Sequence, residues 1–474
     1  MASAVVVGTV IGSGVFKKAQ NVAANVPEFG LAMGVWVLGG LLAMLGALAL
    51  AEVAVLFPRA GGNYVFLREG YGRMAGFLWG WVEFWIIRSA SIAALATMFT
   101  ESVHVILKQL FHAGTRDDVL AFWPRQLLTA CVIAVLGVVN ARGTRLGAGL
   151  QVVVTSIKVG SLLFIIVLPF AVLAAVSQPT APPRLANLTP TWPGGLGGVN
   201  WSLFGAALVG VLWAYHGWMN IAPIAEEVKN PQRNIPLALI GGVTLLIGLY
   251  CGANAAYYLV IPRDEMATLK DTTVATEFCF RLIGPVGLLL ASAIVMTSVF
   301  GSLNGNLLVG PRLLYAMGQD GLAPKVLQKL HPKYGTPYVA TAILAGWSCL
   351  MVLGVGALTQ YTLPTILSLD LNIPKGKSPL DVVTDFAMFG AVAFETLAVA
   401  SIFVFRRRIP PTPENRPYRC WGYPVVPILY ILIMAAVLAN MFISPQQQTE
   451  ALIGLGFIAV GAAVYRTIYR PRRP

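Results

Sequence analysis

Apolar residues run along this chain in long blocks, and polar residues gather in short stretches between them. The blocks fall near 2–26, 31–57, 74–105, 124–140, 146–176, 201–225, 235–262, 285–316, 338–358, 382–405, 422–443 and 449–467. A helix crosses a bilayer with roughly 20 apolar residues, so the pattern predicts an all-α integral membrane protein with twelve transmembrane helices. The even count places both ends of the chain on one side.

Two blocks are interrupted. The first reads VIGSGVFKKAQ over 10–20, with Gly12, Ser13 and Gly14 where a spanning helix should be continuous. The sixth reads WSLFGAALVGVLWAYHGWMNIAPIAEEVKNPQRNIP, with Gly217 and Pro223 inside a run otherwise long enough to cross. Unwound backbone in hydrocarbon leaves amides and carbonyls unpaired at high cost, so it persists only where it lines a cavity or binds something. One GSG alone is explained by close helix packing. Two breaks five helices apart are what an inverted five-plus-five repeat gives, with a ligand held between them near the bilayer midplane. On that reading 1–176 form the first repeat, 201–405 the inverted second, and 422–467 two added helices, in a single membrane domain over 1–474. Amides freed around Gly12 to Gly14, at the positive end of a half-helix starting near Val15, suit a carboxylate. Carbonyls freed around Ala214 to Gly217 suit an ammonium group, and the pair describes a site for a zwitterion.

Composition agrees with the membrane reading: 57% of the 474 residues are hydrophobic, 11% are charged, and the mean hydropathy is +0.73. A net charge of +13 raises nucleic acid as a partner, but Lys and Arg recur in short loops instead of clustering on one face. Of the 33, 20 lie in loops on the side of the two ends and 11 on the other, which predicts both termini to be cytoplasmic. Met1 leads into VVVGTVIG with no basic stretch before it, so the first span is expected to be retained. Cys131, Cys251, Cys279, Cys349 and Cys420 form no CxxC pair, so no disulfide framework, metal site or cofactor is indicated. An enzyme is disfavoured: His104, His112 and His331 lie near loops, and neither HExxH nor GxSxG occurs. A sensor that binds its ligand without moving it would be expected to carry an added signalling domain.

Charges inside the apolar blocks need partners. Lys158 sits in LQVVVTSIKVGSLLF, and Gln151, Thr155, Lys158 and Ser161 follow steps of 4, 3 and 3, one polar stripe expected to face the bundle interior. Glu83 and Arg88 are five residues apart, about 140° around an α-helix, and are not expected to neutralise each other. Arg88 is read as structural, bonded to carbonyls or a neighbouring helix. Glu83 and Glu395 either select a cationic ligand, carry protons, or are simply protonated and hydrogen-bonded. The loop EEVKNPQRNIP is read either as a cytoplasmic hinge whose charges pair with nearby loops when the inner gate shuts or as a simple solvated turn.

GTVIGSGVF (8–16), FPRAGGNYVFLREGYG (57–72), WAYHGWMNIAPIAEEVKNPQRNIP (213–236), FGSLNGNLLVGPRLLYAMGQDGLAP (300–324) and RPYRCWGYPVVPILYIL (416–432) resemble the amino acid–polyamine–organocation superfamily. IIRSASIAALA (86–96) resembles its L-type amino acid transporter branch. The resemblance implies a LeuT-type fold in which helices 1 and 6 unwind around an α-amino acid. It implies that Ile11, Gly12, Ser13 and Gly14 bind the substrate carboxylate, and that Trp213, Ala214, Tyr215, His216 and Gly217 bind the amino group, with Trp213 the aromatic gate. It also implies that Lys158 stands in place of a second sodium ion, either as a fixed tether or as a proton carrier. His216 replaces the family's usual glycine, Met219 stands where some relatives carry Asn, and Lys17 and Lys18 fall where the family is apolar. The resulting expectation is a sodium-independent amino acid exchanger of the plasma membrane working by alternating access. Proton-coupled uptake is the alternative, as is a cationic amino acid or polyamine antiporter, the latter favoured where Glu83 or Glu395 faces the cavity. Residues 106–125 hold no Cys, so no disulfide-linked heavy-chain subunit is expected; the partners are the amino acid and membrane lipid.

Overall fold

The computed structural model describes residues 2–111, 119–175, 182–269, 272–360, 379–410, 412, 418–445 and 447–469. Helix is the regular structure throughout them. The first span is α1 (Ala2–Val10) and α2 (Gly14–Asn25), bent by 40° across the GSG break. There follow α3 (Phe29–Leu56), a short α4 (Asn63–Tyr71), α5 (Arg73–Phe111), α6 (Phe122–Ala141) and α7 (Thr144–Ala175). The sixth span is α8 (Trp201–Tyr215) and a 3-10 segment α9 (Trp218–Glu227). After it come α10 (Pro231–Val260), α11 (Arg263–Ala267), α12 (Val274–Gln319), α13 (Tyr338–Gln360), α14 (Pro379–Arg408), α15 (Val425–Ile443) and α16 (Gln448–Val464). Among the described residues eleven helices are long and apolar enough to cross a membrane, and α1 with α2, taken as one span, makes a twelfth.

The boundaries follow local chemistry. α12 bends at Ile283 and Gly284, the latter at φ 62, immediately before the predicted start of that span at Pro285. Gly61 and Gly62 take positive φ and turn the chain into α4, which packs so close to α9 that a Cβ on Gly62 would meet Pro223 N at 2.8 Å. Between α3 and α8 the same device recurs: a Cβ on Gly39 would lie 2.5 Å from Val211. Lipid is as apolar as a helix face, so such small-residue contacts and interhelical hydrogen bonds hold the bundle. Leu127, Val135 and Val138 on α6 and Val153, Val167 and Phe170 on α7 remain exposed, as lipid-facing residues do.

The broken first span sits centrally, α1 against α7, α9, α10 and α12, and α2 against α8, α11 and α12. The predicted stripe on α7 does face inward: Gln151, Thr155, Lys158 and Ser161 are all buried. Lys18 is buried too, on the α2 face towards α8. His112 and residues 361–378, between the predicted spans 338–358 and 382–405, lie outside the described residues.

Candidate functional site

At the first break, α1 ends where the Ile11 amide donates to Val7 O at 3.0 Å, and α2 restarts with Phe16 and Lys17 amides on Ser13 O. The amides of Gly12, Ser13 and Gly14 donate to no backbone carbonyl among the described residues. The carbonyls left over are capped from two other helices. Lys158 Nζ donates to Gly8 O and Ile11 O, both at 2.7 Å, and to Ser302 Oγ at 2.8 Å. Ser302 Oγ lies within donating distance of Ile11 O (2.8 Å) and Gly8 O (3.1 Å), and Ser298 Oγ donates to Ile11 O at 3.0 Å. A charged donor satisfies exposed carbonyls more strongly than a neutral one.

The second break is made by backbone conformation. His216 is extended (φ −60, ψ 145) and Gly217 is left-handed (φ 102), a region closed to most side chains. The Asn220 amide then donates to Gly217 O at 3.0 Å and starts α9. Thr9 Oγ1 reaches Gly217 O at 3.2 Å, and Tyr250 Oη lies 3.0 Å from Val10 O and 3.2 Å from Ala214 O, so single side chains span both breaks. A Cβ on Gly14 would sit 2.4 Å from Ala214 Cα, so the two spans touch backbone to backbone.

Between the breaks is a central cavity bordered by Thr9, Gly12, Ser13, Gly14, Trp213, His216 and Gly217, with Ser91, Asn220 and Asn306 completing it. Trp213 and His216 stand with ring planes 4° apart and centroids 6.1 Å apart along one wall. Three expected residues lie behind this surface. Ile11 continues α1 through its amide and gives its carbonyl to Lys158. Ala214 gives its carbonyl to Tyr250, and Tyr215 packs its ring on Trp36 and Tyr250. The reason is helical phase: residues one and two places after Trp213 turn about 100° and 200° away from the face it presents.

Glu83 and Arg88 correct the sequence expectation. Residues 83–88 form a π-helical turn inside α5. A π-turn bonds residue i to i+5, so positions five apart share a face. Arg88 accordingly donates through Nε (2.9 Å) and Nη2 to Glu83 Oε1, with Nη1 on Asn306 Oδ1 at 2.6 Å and Nη2 also on Asn220 Oδ1 at 3.0 Å. Arg88 is thus bonded to side chains on its own helix, α12 and α9, not to carbonyls. Asn306 Nδ2 donates to Ser302 O at 2.9 Å, so one run of hydrogen bonds joins Lys158, both breaks and Glu83. Sequence reading missed Ser298, Ser302 and Asn306, although their steps of four put them on one face of α12.

A second cavity lies beside the first, with His216 and Asn220 in the wall of both. Glu83, Arg88 and Glu395 border it, and His216 Nε2 is 2.9 Å from Glu395 Oε1. Further from the centre, Glu227 of the EEVKNPQRNIP loop pairs with Arg312 at 3.1 Å. Tyr64 Oη donates to Asp320 at 2.7 Å beside an Arg68–Asp320 ion pair, and burial pushes the Tyr64 phenol up to about 12, keeping its proton on. Glu52, fully buried at its carboxylate end, holds Arg406 at 2.7 Å and the Cys420 amide at 2.7 Å. No group of three His, Cys, Asp or Glu that could hold a metal occurs among the described residues, and their cysteines are free.

Residues 1–464 match the family model described as amino acid permease. The chain is 29% identical to the serine/threonine exchanger SteT of Bacillus subtilis (strain 168), over 96% of this chain and 93% of that protein. It is 28% identical to the human b(0,+)-type amino acid transporter 1, over 97% of this chain and 85% of the relative. It is also 28% identical to the rabbit (Oryctolagus cuniculus) large neutral amino acids transporter small subunit 2, over 98% and 78%. With eleven or twelve helices able to cross a membrane among its described residues, and a match to one family model over almost its whole length, the chain belongs to the amino acid permease family.

Proposed function

We propose that this protein exchanges α-amino acids across the plasma membrane by alternating access, independently of sodium. The observation that carries the reading is Lys158 Nζ bonded to Gly8 O, Ile11 O and Ser302 Oγ, a covalently fixed cation at the carbonyls freed by the first break. An ammonium already neutralising those oxygens removes the need for a metal ion there. The substrate carboxylate is read onto the amides of Gly12, Ser13 and Gly14, its amino group onto the backbone around His216 and Gly217, and Trp213 covers it. Helices 1 and 6, one from each of the inverted repeats 1–176 and 201–405, rock against the surrounding scaffold about this site, with both termini in the cytoplasm, as the distribution of Lys and Arg supports. The exchanger and transporter names of the relatives support movement of amino acids over any catalytic role.

The test uses purified protein in liposomes loaded with one amino acid and facing a panel outside. Trans-stimulated uptake, unchanged when choline replaces sodium, is expected; uptake that needs sodium, or no trans-stimulation by any amino acid, overturns the reading. Proton-coupled uptake is the second reading, favoured by the buried His216–Glu395 contact beside the central cavity, and uptake driven by an imposed pH gradient alone selects it.

A further inference from the structure

We infer that the second cavity is a separate binding site for a small primary ammonium group, distinct from the place proposed for the amino acid. Glu83 and Asn63 are 3% and 4% exposed, yet Glu83 Oε2 and Asn63 Oδ1 have no hydrogen-bond partner, and both residues border this cavity. Buried acceptors without donors are costly, so two in one cavity call for an occupant that donates. Arg88 is not that donor for Glu83 Oε2: its bonds to Glu83 fall on Oε1, and its remaining ones go to Asn306 and Asn220. Asn63 likewise spends its amide nitrogen on Met219 Sδ.

Charge and the character of the wall narrow the occupant. Glu83 and Glu395 both border the cavity, and Arg88 is already spent on Glu83 Oε1, Asn306 and Asn220. The rest of the wall includes Trp79, Pro223, Val309 and Leu313. Carbon surfaces and a few oxygens suit an alkylammonium better than a metal ion, which asks for a shell of oxygen ligands. Bound there, the head group ties α4 and α5 to the α9 and α14 walls and slows exchange.

Methylammonium is the probe, because it lacks a carboxylate for the amides of the first break. Thermal unfolding of the purified full-length protein in detergent is compared in methylammonium, tetramethylammonium and sodium chlorides at matched ionic strength. This readout needs no transport, so it stands whether or not exchange is found. Methylammonium alone is expected to raise the unfolding temperature in a saturable way. Glu83→Gln keeps an acceptor for Arg88 but turns a donor towards the cavity, and should weaken the effect by about tenfold in concentration. Asn63→Asp adds a charge on the cavity wall and should strengthen it. In liposomes, methylammonium should slow exchange without changing the KM for the amino acid. Methylammonium acting no better than tetramethylammonium means that water alone fills the cavity, and overturns the site. A response shared with sodium, untouched by both variants, or removed by saturating amino acid overturns it equally.

Discussion

The two breaks at the centre of the molecule are built by opposite means. At Gly12 to Gly14 the chain is opened and then held from outside, by an ammonium and two hydroxyls that come from α7 and α12. At His216 and Gly217 the opening is internal, one left-handed glycine after an extended residue, with Thr9 and Tyr250 as its side-chain contacts. A break clamped by other helices registers where they are, whereas one encoded in its own dihedrals keeps its shape as its surroundings move. The first is therefore suited to sensing the state of the bundle and the second to presenting a constant surface to a ligand.

The contrast is tested most severely where the breaks meet. Gly14→Ala forces a Cβ into Ala214 Cα, and because a displacement of about 1 Å at a reacting or binding centre can cost ~100-fold, exchange measured in liposomes should fall by at least about that factor. Lys158→Ala strips the charged cap from two buried carbonyls. Hydrogen bonds to charged groups contribute ~1.5–3 kcal/mol each, so a lower unfolding temperature and a loss of exchange of some tens of fold are expected. Unchanged exchange in this variant removes the external clamp from the account. Gly217→Ala, by comparison, places a side chain at φ 102, a strain of ~1–2 kcal/mol that should reduce exchange about tenfold. Ser302→Ala is the mildest change: Lys158 still caps Gly8 and Ile11, so ~1 kcal/mol of stability and a few-fold loss of rate are expected. Should Gly217→Ala prove more damaging than Lys158→Ala, the dependence on outside support belongs to the wrong break.

Both breaks were legible in the sequence because they come as a pair five helices apart, where glycines that merely let helices pack would have no such relation. The stripe through Lys158 was legible because α7 keeps a regular 3.6-residue period, which turns spacing directly into direction. The pairing of Glu83 with Arg88 was hidden for the complementary reason. A π-turn shifts the register by a single residue, and nothing in EFWIIR announces the shift, so an α-helical wheel separates two groups that touch. The hydroxyls and amides of Ser298, Ser302 and Asn306 were hidden differently: each is a small polar residue in an apolar run, and only their common step of four distinguishes them from ordinary packing residues. Ile11, Ala214 and Tyr215 flank the cavity in sequence but not in space, since family motifs mark segments while helical phase decides which members of a segment face inward.

The contact of Gly14 with Ala214 has a mechanical meaning. Two helices separated by long side chains can slip while rotamers absorb the offset, but a glycine against an alanine, whose methyl has no rotamer to change, has no such slack. A tilt of α2 would therefore carry α8 with it, as one lever with one fulcrum. A wall of the central cavity and the half-helix facing it would then swing through the same arc.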